Sequence, residues 1–267
     1  MKSNANSNIS SILYKYRDWD KECHKRIITE RELYFASPAE FNDPFDSALP
    51  LVYRKEDQTQ ENMFQKMYTL AKWKYPKKTD TEIHELCFSE QQKRLWEDPH
   101  HQERSHELLR EQNRRNVGIV SLSAVNNNYL MWSHYAQSHR GFCVGFDSVV
   151  LENATSEKIE PVIYQDSFPE YSLLNEEVDS FIRKSVMVKW TVWKEECEFR
   201  LCEVGTTKKT VQLPSEAYRE IIFGCMMDAK VKLHLVDFIR NNLFSTKVYE
   251  MQLNKTQFGL DLHPILV

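Results

Sequence analysis

Hydrophobic and polar positions along this chain alternate in two rhythms. A period of two runs through Ile12-Leu13-Tyr14-Lys15-Tyr16-Arg17, Gly118-Ile119-Val120-Ser121-Leu122-Ser123 and Glu196-Cys197-Glu198-Phe199-Arg200-Leu201, and it predicts strands. Apolar residues three and four apart, such as Met63, Met67 and Leu70 or Ile83, Leu86 and Cys87, predict two to four helices across about 56–116. Further strands are expected at 32–36, 141–146, 161–164, 221–224 and 247–252, and further helices at 23–31, 129–137, 178–188 and 229–241. Thr79-Asp80-Thr81-Glu82 has the form of a capping box, and the Asn, Asp and Pro of Phe41-Asn42-Asp43-Pro44-Phe45-Asp46 read as an ordered turn. The pattern is that of an α+β fold with six to eight short strands. A polar tail over 1–11 precedes one domain, 12–267, which carries a helical insertion at about 56–116.

The segment richest in chemistry is 196–204. As a strand it sends Glu196, Glu198 and Arg200 out of one face, with same-face neighbours about 6.5–7 Å apart, and turns Cys197, Phe199 and Leu201 into a core. That is a site geometry, and a solvated strand face gives the same pattern.

Composition narrows the choices. The chain has 267 residues, 41% hydrophobic and 28% charged, enough for a sizeable core without disulfides. A net charge of −4 gives no global attraction to nucleic acid or an anionic membrane. Six cysteines lack CxxC pairing and read as reduced core residues. No apolar leader core and no run of about 18 apolar residues is visible, so a cytoplasmic protein without a membrane partner is expected. Only 6 glycines occur, with neither GxGxxG nor GxxxxGK[ST], which disfavours a P-loop or an ordinary Rossmann site.

Among candidate groups, His100, His101 and His106 have no carboxylate or thiol at a ligand spacing, and no metal site is expected there. No GxSxG elbow is present, and acyl transfer through Ser or Cys is disfavoured. Two nearby carboxylates suit either a metal-dependent nuclease, built from Glu196, Glu198 and Asp43, or an enzyme that stabilises positive charge on a sugar. The nuclease pattern wants a lysine where Arg200 stands. A third reading is a non-enzymatic sensor that recognises a ligand or partner through the aromatic-rich segment 129–146.

Five ordered blocks carry a resemblance: LYKYR at 13–17, LYFASPAEFNDPFD at 33–46, GIVSLS at 118–123, LMWSHYAQSHRGFCVGFD at 130–147 and WKEECEFR at 193–200. They resemble a bacterial family known as a domain of unknown function. Their order in turn resembles the ADP-ribosyltransferase superfamily, including toxin and phage-defence enzymes of the DarT type. The resemblance implies a split pair of small mixed or antiparallel sheets with flanking helices, and a cleft that takes NAD as substrate. Within it Arg17 would meet the pyrophosphate, with Tyr14 or Tyr16 lining the cleft. Ser121 and Ser123 would hydrogen-bond the nicotinamide ribose or the catalytic glutamate, and Trp132 and Tyr135 would stack on a base. Glu198 would be the catalytic carboxylate, Glu196 would position or activate the acceptor, and Arg200 would orient both. Asn42 and Asp43 would contact substrate from their loop. The implied acceptor is a protein or nucleic acid, and a neighbouring regulatory or antitoxin protein is a further implied partner. In place of the superfamily's Ser-Thr-Ser this chain has Ser-Leu-Ser, and no His-Tyr-Glu triad is visible.

Overall fold

The computed structural model describes residues 10–47, 49–50, 52–95, 98–172 and 178–265. Along the chain come β1 (Ile12–Arg17), α1 (Glu22–Thr29), β2 (Glu32–Phe35), β3 (Val52–Tyr53), α2 (Gln60–Lys74), α3 (Asp80–Gln92) and α4 (Pro99–Asn116). Next are β4 (Val117–Ser123), α5 (Tyr129–Tyr135), β5 (Phe142–Asp147), α6 (Ser148–Thr155), β6 (Ile159–Pro161), β7 (Ile163–Gln165) and β8 (Glu170–Tyr171). The remainder is α7 (Val178–Met187), β9 (Val188–Trp190), a 3-10 turn Thr191–Glu196, β10 (Glu198–Val204), β11 (Lys209–Gln212), β12 (Tyr218–Phe223), α8 (Ala229–Asn242), β13 (Lys247–Leu253) and β14 (Leu260–Ile265). The fold is therefore mixed α+β. No helix among the described residues is long and apolar enough to cross a membrane.

The chain packs as two compact units. The first comprises the described residues of 1–37, 117–162 and 192–267, and it holds an eight-stranded mixed sheet in the order β14-β13-β12-β5-β1-β4-β10-β6. One face of that sheet buries Leu13, Val120, Leu122, Val144 and Leu201 with Ile27 and Ile28 of α1, Leu151 of α6 and Leu235 and Ile239 of α8. The other buries Tyr14, Tyr16 and Cys143 with Trp132 of α5 and Ala136 just after it. Alternation along β1 thus feeds two separate apolar layers, which is why Leu13 and Tyr14 are both buried.

The sheet contains one weak seam. β1 pairs with β5 through six consecutive residues and β4 with β10 through seven, whereas β1 and β4 are matched at a single pair, Tyr14↔Ser123. A five-stranded and a three-stranded half therefore meet at one point, where two separate small sheets were expected. The order also includes the β13/β14 hairpin, and a β2/β11 ribbon lies beside it; the alternation does not reveal these pairings.

The second unit comprises residues 38–116 and 163–191. In it α2 and α3 pack together, and the capping box forms: Thr79 Oγ1 accepts from Glu82 N at 3.3 Å while Glu82 Oε2 accepts from Thr79 N at 2.8 Å. Two short parallel pairs, β3/β8 and β7/β9, complete it.

Candidate functional site

β10 does not begin where the alternation places it. Glu196 ends the 3-10 turn, Cys197 takes a left-handed φ of 46°, and the strand starts at Glu198. Glu196 and Glu198 are consequently not successive members of one strand face, which corrects the reading of 196–204 as a continuous strand. Several hydrogen bonds fix this turn. Ser123 Oγ donates to Glu196 O at 2.7 Å, Asn128 Nδ2 to Glu195 O at 2.6 Å, and Ala124 N to Cys197 O at 3.0 Å. Asn128 also caps α5 by accepting from Met131 N at 3.1 Å, so one side chain ties the start of α5 to the carboxylate-bearing turn.

Register places Tyr14, Ser123 and Glu198 on one face of the sheet, with Ser121 and Arg200 paired on that face one step along. There Arg200 Nε donates to Glu198 Oε1 at 2.7 Å and Arg200 Nη2 to Glu198 Oε2 at 3.1 Å. Both residues are buried, at 1% and 5% exposure. Glu196 is buried as well, and its Oε1 accepts from the Tyr135 hydroxyl at 2.8 Å. A fork–fork guanidinium pair orients a carboxylate through two charge-assisted hydrogen bonds.

Across the seam stands Lys15, which the sequence reading passed over. Its ammonium is buried and donates to the Ser121 carbonyl at 2.7 Å, in the gap where β1 and β4 part. Burial first, then the Arg17 charge, pushes its pKa well below the usual lysine value. Glu198 works in the opposite direction and Arg200 adds to the depression. The signal was available: Lys15 falls on the Leu13 face of β1 between buried neighbours, where a charged residue needs a partner. Arg17, at the strand's end, is half-buried, and burial pushes it down to about 10. Among the described residues its guanidinium has neither an ion-pair nor a hydrogen-bond partner, and it lies close enough to His24 of α1 to depress that ring's pKa.

The remaining predicted residues divide. Tyr14 is buried, its hydroxyl bound to Glu220 Oε2 at 3.0 Å, and the Tyr16 hydroxyl donates to Val125 O at 2.8 Å; burial raises both pKa values. Both rings sit on the opposite face of β1 from Arg17, so they do not line one surface with it. Trp132 is wholly buried, edge-on to Tyr16 with ring centres 5.3 Å apart, and its indole N–H donates to Asn126 O at 2.7 Å. It is a core residue and offers no face for stacking, whereas Tyr135 stays partly exposed. Ser123 is buried with its hydroxyl spent on the Glu196 backbone, while Ser121 is half-buried. Asn42 is exposed and Asp43 buried, both in the second unit.

Among the described residues no group of three or more His, Cys, Asp or Glu gathers in a way that could hold a metal ion. All six cysteines are free; Cys87 and Cys143 are buried, Cys197, Cys202 and Cys225 are half-buried and Cys23 is exposed, so the reading as core residues holds for some of them and not for Cys23.

A family model described as a protein of unknown function (DUF2971) matches residues 131–201, from α5 through the Glu198–Arg200 pair. LYKYR and FNDPFD lie outside that stretch. No curated protein matches, and no solved structure matches.

Proposed function

We propose that this chain is an NAD-consuming ADP-ribosyltransferase of the toxin or antiviral-defence kind, acting on a protein or nucleic acid. The observation that carries the proposal is the charge arrangement at the seam: the buried Lys15 ammonium of β1 lies within electrostatic reach of Glu198, a carboxylate on β10 that Arg200 holds bidentate. The sheet that divides into two halves at one residue pair is in keeping with the ADP-ribosyltransferase-like fold that the five sequence blocks imply.

In this reading Arg17, whose guanidinium has no partner within the described chain, binds the pyrophosphate, a role for which its forked donors suit it. Glu198, oriented by Arg200, accepts the ribose 2′-hydroxyl. It then meets the positive charge that develops on the anomeric carbon. The C–N bond to nicotinamide breaks with its electron pair going to the ring nitrogen. The acceptor's nucleophile bonds to the same carbon, and its proton passes to Glu196, steadied by Tyr135. Trp132 has no part in this chemistry; it anchors the 124–128 loop from beneath.

Incubation with labelled NAD and a cell extract tests the reading. Label transferred to protein or nucleic acid by the wild type, and absent with Glu198→Gln, supports it. Label appearing only in free ADP-ribose makes water the acceptor, and intact NAD in every condition refutes it.

A further inference from the structure

A second site lies in the other compact unit and has no part in the reaction proposed above. There residues of the FNDPFD loop, of β7 and the turn after it, and of β9 line a partly open cavity of about 160 Å³. Asp43 lines it and is 8% exposed. Its Oδ1 accepts from the Phe45 backbone N–H at 2.9 Å, as in an Asx turn, but its Oδ2 is buried with no hydrogen-bond donor. A buried carboxylate oxygen in that state is a vacant acceptor, and elsewhere such groups almost always find a partner.

The walls say what kind of donor fits. Phe45, Phe168 and Trp190 line the cavity and are each nearly half exposed. Their rings form a partial cage: Phe45 lies 6.2 Å from Phe168 and 6.4 Å, edge-on, from Trp190. Aromatic faces attract cations and cover alkyl groups. The charged lining is three carboxylates, Asp43, Asp46 and Asp166, against one ammonium, Lys189, whose Nζ already stands 3.7 Å from Asp46 Oδ2. An anion is therefore disfavoured. A metal ion would need several oxygens, and a guanidinium fork would need two, where Asp43 offers one.

We propose that this cavity binds an alkylammonium group, with one N–H on Asp43 Oδ2 and the alkyl chain against Phe45, Phe168 and Trp190. The group can belong to a small free amine or to a lysine side chain of a partner protein.

Calorimetric titration of the full chain tests this with n-butylammonium and Nα-acetyl-lysine methylamide as the two sources, and 1-butanol as a neutral counterpart of the same shape. The expected result is one saturable site for at least one of the two amines, with 1-butanol at least tenfold weaker. Binding of butylammonium alone marks the site as one for free amines, and binding of the lysine probe alone marks it as one for a protein side chain. Asp43→Asn should weaken binding at least tenfold. Should that variant not fold, Trp190→Ala, at an exposed ring, should weaken binding about threefold or more with an unchanged circular dichroism spectrum. Absence of saturable binding by both amines, equal binding of 1-butanol, or wild-type affinity in a folded Asp43→Asn or Trp190→Ala protein overturns the proposal.

Discussion

Arg200 grips Glu198 from two positions along the same strand, Nε to Oε1 at 2.7 Å and Nη2 to Oε2 at 3.1 Å, with both side chains out of solvent. Buried pairs of this kind contribute little net stability compared with apolar residues of the same shape, because desolvation offsets the attraction. Losing one partner is a different matter, since the buried charge that remains loses its bidentate counterpart. Arg200→Met is therefore expected to cost about 3–5 kcal/mol, and Glu198→Leu a similar amount. The double variant should lose clearly less than the sum, as read from urea unfolding midpoints; strict additivity would show that the pair is not coupled.

Much of this region was legible beforehand. The alternation located β1, β4 and β10, and the residue types at 196–200 marked the carboxylates and their guanidinium. What it missed has physical causes. Period two cannot register a left-handed residue that is not glycine, and Cys197 at φ 46° takes Glu196 off the strand. An aromatic residue's identity carries no direction, so Trp132 was expected at a ligand when its N–H in fact satisfies a buried loop carbonyl. The pattern shows that Lys15 needs a partner but not which one, since that partner is a backbone carbonyl where two strands part, a feature of pairing that no local pattern encodes.

The two aromatic residues of α5 should separate cleanly. Trp132→Phe removes the donor to Asn126 O and should cost about 1–3 kcal/mol of stability, with NAD affinity changed less than twofold. Tyr135→Phe removes the hydroxyl's hydrogen bond to Glu196 and should cost about 1 kcal/mol, but should slow turnover roughly tenfold. Thermal unfolding and steady-state kinetics on the same two proteins check both statements.

Arg17 should behave as a ligand-binding group instead of a structural one. Because its guanidinium is half-buried without a partner in the described chain, Arg17→Ala is expected to leave the melting temperature unchanged or slightly raised. Loss of a charged hydrogen bond to the pyrophosphate should weaken NAD binding about 10–100-fold. A fall in stability with unaltered NAD affinity would reverse the assignment.

His24 gives the fold a pH dependence of defined sign. Burial, then the charges of Arg17 and Lys21, pushes its pKa from 6.5 down to about 4, so between those values the unfolded chain binds more protons than the folded one. Stability should be complete above pH 6.5 and fall as pH drops toward 4, by about 1–2 kcal/mol once solvent screening of the half-exposed ring is allowed for. The difference between wild type and His24→Gln in denaturant midpoints at pH 7 and pH 4.5 measures this contribution; an unchanged difference would remove it.

The most direct test of the central claim is nicotinamide release from NAD by the purified protein, with an extract supplying the acceptor, compared between wild type and Glu198→Gln. Glutamine keeps the shape and can still accept from Arg200, so melting temperatures of the two proteins serve as the control for folding. The account predicts release by wild type and at least a hundredfold loss in a folded Glu198→Gln protein, as expected when the carboxylate that meets the developing charge becomes neutral. Equal release by both proteins, or none by either, would contradict it.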